Sequence, residues 1–501
     1  MQIELVVIGI FFISVILVMI LGKRIRKTTD FWLVGIFFLG IMSTIIIGWP
    51  HPSDRARVVI EGFSYVLIGM LLPIFWNIGR NAKRLEHFLM VGILIIIIGG
   101  LVAWTHFRVV TIHVLGNSHG GLEEELKEFN NAHKGLGIQA KLVYDWRALD
   151  TNERYEKMHK YITGTERVDI IELDRIWLEE AMGTTNSILF PLDRFFEQDM
   201  KESAFLEASL DIARHSSTRC LYAIPLFVDV GIIFYRKDLL GKLHNPITFN
   251  DLSNIMTRLF TRTKRKDLEG FVFQGARYEG LNCAFFELLS SSNTSIIGYD
   301  GNIQINTEPI ISVLLKLRNM IFVRGTIPLS VLVFKEEESY KLFIEGHAII
   351  LRNWARFLQS WDDELFMITR KDIGITSFAK PVLGGWYLGI MKGSKHPKEA
   401  WEVIKFLIRP NMLKYRATNS DVSRRRIPAD MDVLSELHTY FPYVFEVKKS
   451  LLKAQHRPRL QDYELFSKIM YEAIFEILYK ADITEETIRD ILNDAQSKLP
   501  Q

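Results

Sequence analysis

Cysteine is scarce in this sequence of 501 residues, since only Cys220 and Cys283 occur. No Cys or His pair has the spacing of a zinc site, and no HExxH, phosphate-binding glycine loop or EF-hand loop is present. The sequence therefore supports neither a metal nor a nucleotide cofactor, and we expect none. The two cysteines could pair outside the cytoplasm, but both sit among apolar residues, which favours two buried thiols.

The sequence also lacks the surplus of positive charge that a nucleic-acid-binding domain needs. The net charge of the whole chain is +3. Residues 1–104 hold nine Lys and Arg but five Asp and Glu, so the remainder has a net charge of −1. Because the basic excess belongs to the first hundred residues, we expect no nucleic-acid partner.

Long apolar runs, by contrast, crowd the first hundred residues. They lie at about 6–21, 31–49, 58–76 and 88–104. Each is near the ~20 residues with which a helix crosses a ~30 Å hydrocarbon core. The runs predict a membrane anchor of four transmembrane helices over residues 1–105, in contact with the lipid bilayer, followed by a domain over 106–501.

The charges beside these runs predict the orientation of the anchor. Lys and Arg are richest in the loops after the first and third runs, and cytoplasmic loops carry such an excess. The N-terminus and the C-terminal domain then lie outside the cytoplasm. We therefore expect a multi-pass protein of the cell membrane.

Strands and helices alternate after the last apolar run. The predicted strands are Val109 to Leu115, Gln139 to Tyr144 and Val168 to Leu173, with helices at Leu122 to Lys134 and Asn152 to Ile162. This order predicts an α/β domain with a parallel sheet, whose ligands bind beyond the carboxyl ends of the strands. Asp174 and Trp177 follow the third strand and are candidates for that site. Equally, Asp174 could cap the next helix while Trp177 packs beneath it.

Five motifs occur in order along the rest of the chain. They are the run from Tyr222 to Leu240, Gln274 to Leu281, Phe343 to Gly346, Arg352 to Trp354 and Leu383 to Trp386. Together they resemble the family 1 extracellular solute-binding proteins, the receptors of carbohydrate ABC importers, and most of all the trehalose/maltose-binding branch. The resemblance covers essentially the whole domain after residue 106.

The resemblance implies a two-lobed, periplasmic-binding-protein-like fold of class II, with a sugar held in the cleft. Lobe one comprises about 108–227 plus 388–425, and lobe two about 230–385 plus 430–501. The chain would cross between them near Phe227 to Gly231, Gly385 to Leu388 and Ser423 to Ala429. The segment 376–382 is shorter than the corresponding family loop, so the cleft floor is expected to differ.

A sugar offers hydroxyl rows at its edges and C–H patches on its faces, so its site needs polar groups and aromatic rings. By resemblance, Trp354 stacks on a sugar ring, although a core tryptophan is the alternative. Glu279 accepts from hydroxyls, and Gly384 and Gly385 allow close approach of the backbone. Arg457 precedes Pro458 as in the family, or is an ordinary surface charge. The predicted ligand-binding residues are Asp174, Trp177, Asp229, Tyr278, Glu279, Tyr299, Trp354, Gly384, Gly385, Trp386 and Arg457.

The function that the resemblance implies is capture of a sugar or oligosaccharide and its delivery to the permease and ATPase subunits of an ABC importer. A membrane-fixed sugar sensor that signals through its four spans is the alternative. Paired carboxylates could also hydrolyse glycosides; the alternative is that they accept hydrogen bonds, and the resemblance favours this alternative. We therefore expect a protein that is not an enzyme.

Overall fold

The computed structural model describes residues 109–117, 121–145, 151–163, 167–183, 186–263, 268–298, 302–359 and 368–500. The four predicted transmembrane segments lie outside these ranges. Within these ranges, no helix combines the length and apolar character that crossing a membrane requires. The site below lies in one compact unit, Thr111–Ala132 together with Gln139–Gln501.

The described strands confirm the three predicted at the start of the domain and add those of the remainder. They are β1 (Val110–Gly116), β2 (Ile138–Asp145), β3 (Ile170–Asp174), β4 (Ala223–Arg236), β5 (Glu269–Val272), β6 (Ala348–Trp354), β7 (Ile373–Thr376) and β8 (Leu383–Ile390).

The described helices flank these strands. They are α1 (Leu122–Ala132), α2 (Thr151–Thr163), α3 (Leu178–Met182), α4 (Asp193–Asp199), α5 (Glu207–Ile212), α6 (Lys237–Leu240), α7 (Phe249–Thr263), α8 (Glu279–Ser291), α9 (Glu308–Arg318), α10 (Glu336–Ile344), α11 (Arg356–Gln359), α12 (Pro397–Leu407), α13 (Pro410–Ala417), α14 (Met431–Glu436), α15 (Val444–Lys453), α16 (Tyr463–Tyr479) and α17 (Glu485–Lys498). Short 3₁₀ turns lie at Arg175–Trp177, Glu202–Ala204, Leu329–Val333, Arg370–Asp372, Val422–Arg424 and Leu437–Thr439, and a π turn at Asn319–Val323.

The strands form a mixed sheet in the order β2-β1-β3-β8-β4-β6-β5, with β7 also paired to β4. The β1/β3 and β5/β6 pairs are parallel. In the centre, however, β8 is antiparallel to β3 and β4, and β4 is antiparallel to β6 and β7. The prediction of a parallel sheet is therefore wrong in the centre, because β4 and β8 run in opposite directions where the chain passes between the two halves.

The long strand β4 joins those halves. Its residues from Ala223 to Val230 pair with β8, and those from Gly231 to Arg236 pair with β6 and β7. Almost every β4 side chain is buried, which explains its near-continuous apolar sequence. Val228 also donates its backbone N–H to Ile427 O at 3.0 Å, so two of the predicted crossings lie side by side. The residue limits of the lobes stay a prediction.

Helix α12 shows how local sequence produces packing in the first half. Pro397 occupies the first turn, where its missing N–H costs nothing. In the sequence, the spacing of Ala400, Val403, Ile404 and Leu407 after Pro397 predicts one apolar helix face. All four residues are buried in the structure, which confirms that prediction. Helix α12 packs against α1, where the ring of Phe406 meets that of Phe129 edge-on at 5.3 Å.

A buried ion pair fixes the second half against the start of β8. Arg352 donates from Nη2 to Glu287 Oε1 at 2.7 Å and from Nε to Oε2 at 2.9 Å. Glu287 also accepts from the Val382 N–H at 2.9 Å. A Cβ on Gly231 would lie 1.8 Å from Glu287 Oε1, so only glycine leaves room for this pair.

Candidate ligand-binding site

Asp174 ends β3 and serves two purposes. Its Oδ1 accepts from the Ile176 N–H at 3.2 Å, which caps the turn Arg175–Trp177. Trp177 lies buried beneath it. The alternative interpretation, in which Asp174 is a cap and Trp177 packs beneath it, is therefore correct. Asp174 Oδ1 also accepts from Arg457 Nη2 at 3.2 Å, so the cap belongs to a wider polar network.

Arg457 is the centre of that network. It is 4 % exposed, so it is not an ordinary surface charge. Its Nη1 donates to Glu279 Oε1 at 2.8 Å. Burial lowers the pKa of Arg457, but the nearby Cys283, Asp174 and Glu279 outweigh burial and raise it. The guanidinium therefore remains charged between two carboxylates.

Glu279 is fully engaged by protein donors in this conformation. Its Oε1 accepts from Tyr463 at 2.8 Å as well as from Arg457. Its Oε2 accepts from Ser467 Oγ at 2.5 Å and from Asn282 Nδ2 at 3.0 Å. The predicted role of Glu279 as an acceptor of sugar hydroxyls stays a prediction. The observed contacts make it the residue that orients Arg457.

Both cysteines are free thiols, as the sequence favoured. Cys283 is buried beside Arg457 Nη1 at 3.7 Å, and burial raises the pKa of its thiol. Cys220 is only half-buried, so the prediction of two buried thiols is correct for Cys283 alone.

Two tryptophans meet where β3 pairs with β8. Asp174 lies opposite Trp386 in that pairing, and the rings of Trp177 and Trp386 contact edge-on at 5.4 Å. Trp386 is half-buried, and the Arg154 guanidinium lies 4.9 Å from its ring centroid. The interaction between a guanidinium and an aromatic face is attractive. Trp386 is therefore a partly exposed ring that forms a cation–π contact with Arg154.

A second aromatic position lies where β4 pairs with β8. Gly384 is opposite Asp229, and a Cβ on Gly384 would lie 3.0 Å from Cζ3 of Trp354. The glycine thus admits the Trp354 ring beside Asp229. Trp354 is half-buried and donates from Nε1 to Glu336 Oε1 at 3.3 Å. Gly385 has a φ of +139°, a conformation that favours glycine.

Asp229, opposite Gly384 and beside Trp354, has a buried carboxylate. Its Oδ1 accepts from the N–H groups of Val230 at 2.9 Å and Arg356 at 3.2 Å. Burial raises the pKa of Asp229 to about 6. Asp229, Gly384 and Trp354 therefore lie side by side.

The remaining predicted residues are placed differently. Tyr278 is buried directly before α8, with the Lys335 ammonium 5.5 Å from its ring centroid, so its ring is covered in this conformation. Tyr299 lies outside the described residues. The ligand-binding role of each predicted residue stays a prediction.

Sequence reasoning missed four charged residues here, namely Arg154, Glu172, Arg356 and Arg426. Glu172 is buried, its Oε2 accepts from the Asn117 N–H at 2.6 Å, and burial raises its pKa to about 7. A carboxylate within the apolar run of β3 was a usable signal. The three consecutive arginines ending at Arg426, at the predicted third crossing, were another. Nothing in the sequence distinguished Arg154 from other helix charges.

The shared strand β4, the antiparallel return through β8 and the flanking helices define a two-lobed α/β fold of the periplasmic-binding-protein type. The family model of bacterial extracellular solute-binding proteins matches residues 116–412, and the chain belongs to this family. Its relatives are solute-binding proteins and not enzymes, which supports the prediction that this chain has no catalytic activity.

Individual relatives agree with this assignment. A "Probable ABC transporter-binding protein" of Deinococcus radiodurans is 29% identical over 276 residues, which are 52% of this chain and 64% of that relative. The chain thus spans less than two thirds of the length of this curated relative.

Solved structures share the fold. The maltose-bound MalE3 of T. maritima has a TM-score of 0.66 at 24% identity, covering 78% of this chain and 100% of that one. An ABC substrate-binding protein from Listeria monocytogenes in complex with cycloalternan has a TM-score of 0.62 at 17% identity, covering 77% and 98%. The GacH receptor of Streptomyces glaucescens has a TM-score of 0.60 at 16% identity, covering 77% and 97%.

Proposed function

We propose that this chain captures a sugar or oligosaccharide between its lobes and delivers it to an ABC importer. The observation that carries the proposal is the group at the crossing strands, where half-buried Trp354 and Trp386 lie near Asp229 and Gly384. Aromatic faces for C–H patches and polar groups for hydroxyls are what a saccharide requires. The names of the relatives, an ABC transporter-binding protein and a maltose-bound MalE3, support the same function.

The finer assignment, to the trehalose/maltose-binding branch, rests on the five motifs in order along the sequence. Three of them contribute to the group at the crossing strands: Asp229 from the first, Trp354 from the fourth and Trp386 from the fifth. In this assignment Trp354 on lobe two and Asp174 on lobe one act on the same ligand. A ligand can drive closure only through contacts that are better in the closed state.

Residues 1–105 anchor this domain in the cell membrane as four transmembrane helices, with the domain outside the cytoplasm. Four apolar runs of spanning length and the arginine and lysine excess in two of their loops support the anchor. The importer's permease would then share the membrane, and its ATPase would act from the cytoplasmic side.

A sugar sensor is the second candidate, because one span would suffice to hold a receptor at the surface and the sequence has four. Purification of the full chain from its native membrane separates the two. Recovery of permease and ATPase subunits supports import, and recovery of a signalling protein supports sensing.

A thermal-shift screen of the purified full chain against neutral and acidic mono- and oligosaccharides tests capture itself. A ligand that binds only the folded state raises stability by mass action, by about 2.7 kcal/mol at a hundred times its Kd. We expect a saturable rise in the unfolding temperature for a narrow set of saccharides. A folded protein with no shift across the screen would contradict the proposed function.

A further inference from the structure

Three arginines converge where the two halves meet. Arg426 interacts electrostatically with Arg154 and Arg356 as well as with Asp229 and Glu172. Arg154 comes from α2 and lies on the ring of Trp386. Arg356 lies two residues after Trp354; its backbone N–H donates to Asp229 Oδ1 at 3.2 Å, and its Nη2 pairs with the exposed Glu337 at 3.4 Å. Positive charge therefore reaches the predicted cleft from three separate segments of the chain.

Arg426 differs from the other buried arginines named above. Arg352 and Arg457 each donate to a carboxylate at 2.8 Å or less. Arg426 is 7 % exposed, yet its Nη1 donates only to the backbone oxygens of Ser423 and Arg425, at 2.8 and 2.7 Å. No carboxylate of the described residues lies within ion-pair distance of it, and its Nε and Nη2 have no hydrogen-bond acceptor there. Its guanidinium lies 5.5 Å from the ring centroid of Phe227 on β4.

The two carboxylates that interact electrostatically with Arg426 already accept other hydrogen bonds. Glu172 accepts from the Asn117 N–H at 2.6 Å, and Asp229 Oδ1 accepts from two backbone N–H groups. Burial raises the pKa of Glu172 to about 7 and that of Asp229 to about 6. At neutral pH these two carboxylates are therefore partly protonated and neutralise the charge of Arg426 only in part.

We propose that the saccharide taken by this cleft bears a negatively charged group, a carboxylate or a phosphate, and that Arg426 is its main counter-charge. The proposal rests on the proposed function. A neutral sugar would leave a buried guanidinium without a counter-ion, which is costly. A guanidinium matches the two oxygens of a carboxylate or phosphate in a planar, bidentate contact. Trp386 and Trp354 would hold the sugar ring while Arg426 holds its charge.

Matched ligands test this selectivity on the full chain. Each neutral saccharide of a mono-, di- and trisaccharide panel is titrated beside its counterparts, a uronic acid and a phosphate ester, as in glucose, glucuronate and glucose 6-phosphate. We expect an acidic member to bind at least about tenfold more tightly than its neutral partner, the factor that one charge-assisted hydrogen bond supplies. Tighter binding of the uronate or of the phosphate ester identifies which of the two anionic groups Arg426 binds.

Substitutions at two adjacent arginines test the role of Arg426 in binding the acidic group. Arg426→Gln should reduce affinity for the acidic ligand by about 10- to 100-fold and bring it near that of the neutral partner, while Arg426→Lys should retain part of the preference. Arg425→Gln is the matched control, because Arg425 is half-buried and lies over Phe441. It should leave the ratio unchanged.

The outcomes distinguish this inference from the proposed function. Tight binding of neutral saccharides with no gain for acidic partners in the wild-type chain overturns the anionic ligand and leaves sugar capture standing. Absence of binding across the whole panel contradicts both. If Arg426→Gln does not fold, the comparison of matched ligands on the wild-type chain still decides the question.

Discussion

Arg457 Nη2 lies 3.2 Å from Asp174 Oδ1, a contact between residues 283 positions apart. Asp174 belongs to predicted lobe one and Arg457 to predicted lobe two. Because Arg457 also donates to Glu279, one guanidinium holds the end of β3 to the start of α8. We infer that this contact stabilises the packing of these two segments against each other.

Replacing Arg457 with Gln should destabilise the protein strongly. The change would leave Asp174 and Glu279 buried without their cation, and removing one partner of a buried pair costs about 3–5 kcal/mol. Urea unfolding followed by tryptophan fluorescence measures the loss. Arg277→Gln is the control, because the Arg277 and Glu472 side chains form an exposed pair, which is worth about 0–1 kcal/mol. Equal losses in the two variants would show that the buried network contributes nothing special.

Gly231→Ala should disrupt the Arg352–Glu287 pair. The added Cβ would lie 1.8 Å from Glu287 Oε1 and 2.8 Å from Arg352 Nη2, so the pair must shift or break. We expect a loss of at least about 2 kcal/mol in the free energy of unfolding. Gly393→Ala is the matched control, since nothing lies within 4 Å of its added Cβ. A Gly231→Ala variant as stable as the Gly393→Ala variant would contradict the described packing.

The buried carboxyl of Glu172 predicts a pH dependence of stability. Burial raises its pKa from 4.5 to about 7 in the folded state, so the folded protein keeps a proton that the unfolded chain loses between these values. Unfolding then releases a proton, and stability falls as pH rises from about 4.5 to about 7. The size is about 3 kcal/mol, at 1.36 kcal/mol per pKa unit.

Glu172→Gln tests this pH dependence, because it keeps an acceptor for the Asn117 N–H and cannot ionise. The variant should lose the fall in stability over this pH range and be more stable than the wild type above pH 7. Glu128→Gln, at an exposed position on α1, should leave the profile unchanged. The same slope in Glu172→Gln and wild type would assign the effect to another group.

Trp354→Ala should weaken saccharide binding without preventing folding. Its half-buried ring is the proposed stacking face, and its loss should raise the Kd at least about tenfold, or 1.4 kcal/mol. Trp401→Phe is the control, because Trp401 is buried in α12 and bonds Asp199. That change should lower the unfolding temperature and leave the Kd unaltered. Unchanged affinity in Trp354→Ala would remove Trp354 from the site.

Local patterns in the sequence predicted local structure well. Helix α12 followed from Pro397 and its apolar spacing, and the alternation after residue 109 predicted β1 to β3 with their helices. The central antiparallel pairing was missed because it joins strands far apart in sequence. In addition, β4 is buried along almost its whole length and so has the near-continuous apolar sequence that is typical of parallel strands.

In the candidate site, too, local motifs were informative and contacts between distant residues could not be predicted. The motifs that resemble the family identified Asp229, Gly384 and Trp354 as candidate ligand-binding residues. The sequence left Arg457 open, because the burial of that residue depends on Asp174 and Glu279, 283 and 178 positions away. Arg154 was missed for the same reason, since only the folded chain places it over Trp386.

Isothermal titration calorimetry of the full chain with the saccharide that shifts its unfolding temperature most is the most direct test of sugar capture at the crossing strands. We predict saturable binding of one saccharide per chain, weakened at least about tenfold by Trp354→Ala and unaffected by Trp401→Phe. Absence of saturable binding by the folded chain, or binding that Trp354→Ala leaves unchanged, would contradict the account.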